Sequence, residues 1–86
     1  MRIWAKIMND DKIVKNIIVR FDYVFNKKNY ERCLILICNQ LDIPTPITLK
    51  YHFNSFDEFN IVKYLPGEFI EKVNFTSFVL ENCTDT

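Results

Sequence analysis

This chain predicts an α+β domain with the element order β-β-α-α-β, and three segments carry that prediction. Residues 2–8 and 13–21 are rich in β-branched and aromatic side chains and flank the polar stretch Asn9-Asp10-Asp11-Lys12, the pattern of an antiparallel hairpin. Tyr30, Cys33, Leu34, Ile37, Cys38 and Leu41 recur at the spacing of one buried helical face. Phe75 to Cys83 alternates and is again aromatic and β-branched, which predicts a closing strand with Phe78 and Leu80 on one side.

Composition sets the frame. Eighty-six residues make one domain, residues 1–86, near the size at which a single core barely suffices and partners often complete a fold. With 49% hydrophobic residues, including eight Phe, four Tyr and one Trp, the chain has the apolar surface to order itself. One Gly and three Pro leave few cheap positive-φ positions, so Asn and Asp are expected at the tight turns.

The longest apolar run, Cys33 to Cys38, is far short of the roughly 20 residues that span a bilayer. Lys6, Asn9, Asp10 and Asp11 interrupt any signal-peptide core. A cytoplasmic protein is expected, with no membrane partner. Three scattered cysteines, Cys33, Cys38 and Cys83, read as reduced packing residues rather than a disulfide framework. The triplets Asn74-Phe75-Thr76 and Asn82-Cys83-Thr84 then carry no glycosylation meaning.

A three-residue loop, Asp10 to Lys12, would pair Asn9 with Ile13, Ile7 with Lys15, Ala5 with Ile17 and Ile3 with Val19. Ile3, Ala5, Ile7, Ile17, Val19 and Phe21 then form one apolar face. On the opposite face Met8 meets Val14, Lys6 meets Asn16, Trp4 meets Ile18 and Arg2 meets Arg20. This second face is also partly apolar and calls for cover, either from a later segment such as 61–73 and the last strand or from another molecule.

Asn26 or Asn29 can cap the first helix, with Glu31 in its first turn. Ile35 and Leu36 widen the apolar arc and predict a helix contacted on more than one side. Asp42-Ile43-Pro44-Thr45-Pro46 stops it. Thr45 as cap and Pro46 at the first helical position predict a second helix from there to about Phe59, with Leu49, Phe53 and Phe56 on one face. The Ser55 and Glu58 spacing allows a break at Asn54. Asn60 to Tyr64 is ambiguous, Leu65-Pro66-Gly67 is the strongest breaker, Glu68 to Val73 can form one helical turn or two, with helix, strand and loop all open over 61–73, and residues 84–86 are expected to fray. A three-stranded antiparallel sheet with helices on one face is the most economical assembly.

Little in the chain points to catalysis. His52 is the only histidine and reads as a half-exposed helix residue, while Glu68 and Glu71 read as solvated charges. Cys33 and Cys38 lie about 140° apart on a helix and do not converge on one ion. No cofactor, metal or catalytic residue is expected, and the lone Gly67 provides no phosphate cradle.

Charge is uneven although it sums to zero. Residues 1–32 hold eight basic and four acidic residues, and residues 33–86 hold three and seven. Two readings of the ribbon follow. The expected function is non-enzymatic protein interaction, with another protein or with a second copy, through Trp4, Met8, Val14 and Ile18 rimmed by Arg2 and Arg20. The alternative is a nucleic-acid surface made of Arg2, Trp4, Lys6, Lys15 and Arg20.

Overall fold

The computed structural model describes residues 1–84. Its elements are β1 (Arg2–Asn9), β2 (Lys12–Arg20), α1 (Lys27–Leu41), α2 (Lys50–Phe59), β3 (Ile61–Tyr64), a 3-10 turn (Pro66–Glu68) and β4 (Ser77–Asn82). The sheet is antiparallel throughout, in the order β2-β1-β4-β3, so the α+β class and the β-β-α-α-β order hold. It has four strands rather than three, because Ile61–Tyr64 adds an edge strand to β4.

Asn and Asp do serve the tight turns. Asp10, Asp42 and Asn60 are the positive-φ residues among those described. Asp10 takes φ of 56° in a two-residue hairpin loop, shorter by one than the loop read from the sequence. From Arg2↔Arg20 to Ile7↔Lys15 the register is the expected one, but a bulge follows and Met8 pairs with Ile13. Val14 is the extra residue, so the expected Met8–Val14 and Asn9–Ile13 pairs do not form, and Ile13 joins the side of Met8.

Helix α1 starts at Asn26, whose Oδ1 accepts from the Asn29 N–H at 2.8 Å, and ends in left-handed Asp42. Glu31 therefore sits beyond the first turn. Tyr30, Leu34, Ile37, Cys38 and Leu41 are buried, but Ile35 and Leu36 are about half exposed, so α1 is covered on one side only. Helix α2 is continuous and starts four residues past Pro46, and the Ile47 N–H ahead of it donates to the Glu68 carbonyl at 2.9 Å. The stretch after Pro66 forms one 3-10 turn and is otherwise irregular, since its backbone serves that tertiary contact.

The core lies between the helices and one face of the sheet: Ile3, Ala5, Ile7, Val62, Tyr64, Phe78 and Leu80 from the strands against Tyr30, Leu34, Ile37, Leu41 and Phe56. Tyr30 and Tyr64 join hydroxyls there at 2.8 Å, and Thr48 Oγ1 lies 3.0 Å from the Tyr64 oxygen, satisfying buried polar groups. β3 and β4 extend the sheet sideways and do not wrap over its second face. Thr84 is held, its hydroxyl accepting from the Arg2 N–H at 2.8 Å; the rest of the expected frayed end lies outside the described residues.

Candidate functional site

Cross-strand partners share a face, so the register lays out the uncovered side of the sheet. Ile18, Trp4, Glu81 and Ile61 form one row; Asn16, Lys6, Val79 and Lys63 form the next; Ile13, Met8 and Ser77 form the third. Arg20 and Arg2 stand opposite each other at one end, and the exposed Asp10 and Asp11 of the turn stand at the other. Ile18 is 61% exposed, Val14 62% and Ile13 45%. Trp4 and Met8 are half-buried.

This face is ordered in advance. The Trp4 indole Nε1 donates to Asn16 Oδ1 at 3.0 Å, and Lys6 Nζ sits 4.1 Å from the centre of the Trp4 ring while bonding Glu81 Oε1 at 3.2 Å. Val79 is 7% exposed although no helix lies over it; its flanking neighbours by register are Lys6 and Lys63, whose methylene stems can shield it.

The structure thus brings Arg2, Trp4, Lys6, Met8, Ile18 and Arg20 to one face, with Val14 at the bulge beside them. Lys15 is not among them. It projects to the helix side, and its Nζ donates to the Leu41 carbonyl at 3.0 Å, closing the C-terminus of α1. Two other members of the basic set already hold carboxylates, Lys6 with Glu81 and Arg20 with Asp22 at 3.1 Å. Sequence reasoning missed Ile13, Ile61 and Val79. The bulge places Ile13 there and the short β3 places Ile61, and neither leaves a periodic signal; Val79 stands there because β4 pairs with β1.

His52 is 1% exposed, not half-exposed. Its Nδ1 accepts the Leu49 N–H at 2.9 Å, its ring stacks on Tyr64 with centroids 4.4 Å apart, and its Nε2 abuts the Glu68 carboxylate. Glu68 is not a free solvated charge. It also accepts from the Tyr51 hydroxyl and, at 2.8 Å, from the Leu65 N–H. Partial burial pushes its carboxyl up, but the Leu65 N–H, the Tyr51 hydroxyl and His52 outweigh this and hold it below the usual carboxylate range. The cluster clamps the start of α2 to the 3-10 turn.

Burial pushes the Cys33 thiol up to about 11 and Cys38 up to about 12, the opposite of an activated nucleophile. Among the described residues no group of three or more His, Cys, Asp or Glu is placed to hold a metal ion, and no helix is long and apolar enough to cross a membrane. Beside the end of β2, a cleft of about 280 Å³ is lined by Arg20, Phe21, Tyr23, Asn29, Arg32, Cys33 and Leu36.

These features define a two-layer α+β domain with one sheet face left open. The chain matches no known family model, no curated protein and no solved structure.

Proposed function

We propose that this domain is a non-enzymatic protein-interaction module whose hairpin face is covered by a second copy of the chain. The observation that carries the reading is the exposure of Ile18, Val14 and Ile13 around half-buried Trp4 and Met8, on a sheet face with no layer packed against it. Burying such a patch is favourable at roughly 25 cal/mol per Å² of apolar area, and Trp, Met and Arg are the residue types that interfaces favour.

Charge supports a second copy as the occupant. Arg2 and Arg20 lie at the open end of the hairpin, and Asp10 and Asp11 at its turn. Two faces packed about a two-fold axis across the strands set the basic end of each against the acidic turn of the other. Three free thiols suit a reducing, cytoplasmic setting.

Sedimentation of Trp4→Ala beside the unaltered chain tests this. Removing a central aromatic anchor weakens association by roughly 30-fold or more, with a smaller effect on folding. Equal self-association of the two folded proteins would refute the reading. The alternative, a nucleic-acid surface, draws support from Arg2, Lys6 and Arg20 sharing a face with Trp4. It requires an affinity that falls steeply with salt, whereas an apolar protein interface changes little.

A further inference from the structure

We infer that the free edge of β2, together with the cleft between β2 and α1, binds an extended acidic peptide as an added strand. This surface borders the open sheet face, because Asn16, Ile18 and Arg20 turn their side chains to that face, but the groups that pair here are the outward backbone groups of β2.

β2 is the first strand of the sheet and, among the described residues, pairs only with β1. Phe21 and Met1 exchange both backbone bonds, at 2.8 and 3.2 Å. Antiparallel pairs alternate between bonded and non-bonded positions, so Val19, Ile17 and Lys15 also turn their backbone groups to β1. Asn16, Ile18 and Arg20 therefore turn their N–H and C=O groups outward, as a short ladder with no strand on it. Such an edge is what an added strand pairs with.

Helix α1 runs beside this edge. Lys15 reaches Leu41 at one end, and Arg20 shares the cleft with Arg32 at the other. The cleft thus opens between α1 and the Arg20–Phe21 end of the edge, in line with the outward ladder. Phe21, Tyr23, Cys33 and Leu36 make the cleft largely apolar, and two guanidiniums reach into it from different elements. Arg20 gives its Nε to Asp22; Arg32 is exposed and has no ion pair among the described residues. Guanidinium forks on an apolar wall suit a carboxylate carried on an aliphatic segment.

The occupant is not a second β2. That strand carries Lys12, Lys15 and Arg20 and no acid, so edge-to-edge pairing of two copies sets like charges against each other. The same charges attract a strand in which carboxylates alternate with β-branched residues.

The test is fluorescence anisotropy with a labelled short peptide alternating glutamate and valine, beside its lysine counterpart and a form N-methylated at alternate backbone positions. The glutamate peptide binds saturably, and the other two do not. On saturation, amide exchange slows at Asn16, Ile18 and Arg20 and not at Lys15, Ile17 and Val19. Arg32→Ala lowers affinity by about tenfold, in line with one charge-assisted contact. Absence of saturable binding, equal binding of the N-methylated peptide, or an Arg32→Ala affinity equal to that of the unaltered chain overturns the inference.

Discussion

Lys6 Nζ lies 3.2 Å from Glu81 Oε1 across the β1–β4 pair, on the side of the sheet that no helix covers. The lysine side chain is 13% exposed and the glutamate 38%. With its glutamate partly open to water, the pair is screened at that end and contributes little to folding. Lys6→Met, which keeps the stem over Val79, should change stability by less than about 1 kcal/mol in urea unfolding. A loss above about 3 kcal/mol would mean that the pair is effectively buried in the monomer.

The hydroxyl chain in the core predicts an order of effects. Tyr64 bonds both Tyr30 and Thr48, and among the described residues the Tyr30 hydroxyl bonds Tyr64 alone. Tyr64→Phe strands two partners and should cost about 1–3 kcal/mol, while Tyr30→Phe leaves the Thr48 contact in place and should cost less. Equilibrium unfolding of the two variants checks the order.

Glu68 sets an acid limb. Its carboxyl is held below the ordinary range in the folded chain, so the stability it contributes is present above the unfolded value, near 4.3, and is lost as pH falls through the lower folded value. Glu68→Gln should flatten the fall in stability on acidification below about pH 5. Unfolding midpoints measured across that range would show an unchanged slope if the cluster were unimportant.

Asp42 caps α1 at φ of 57°, with its N–H bonded to Cys38 and Asn39 carbonyls. A side chain in that region is strained, and a carboxylate at a helix C-terminus meets the negative end of the dipole. Asp42→Gly should be neutral or stabilising by up to about 1 kcal/mol. A clear drop in melting temperature would show that the side chain has a further partner.

How much of this was legible follows from where each signal resides. The face of α1 and the pairing from Arg2 to Ile7 could be read because periodicity alone specifies them. The loop length could not, since a two-residue turn plus a bulge at Val14 uses as many residues as a longer turn and leaves the same alternation up to Lys15. Thr45-Pro46 is sound start chemistry for a helix, but the chain stays irregular to Leu49, along a stretch tied to Glu68 through Ile47, a contact no local pattern records. Burial of His52 depends on Glu68 and Tyr64 arriving from later elements, which no local pattern records. Of the open face, Trp4, Met8, Val14 and Ile18 were visible in the sequence, whereas Ile61 and Val79 needed the strand order.

The most direct test of the open-face account is molar mass by light scattering across a protein dilution series at moderate salt. The account predicts a mass approaching twice the 10.3 kDa of the chain at high concentration, returning to the single-chain value on dilution. A mass of one chain at every concentration would contradict it.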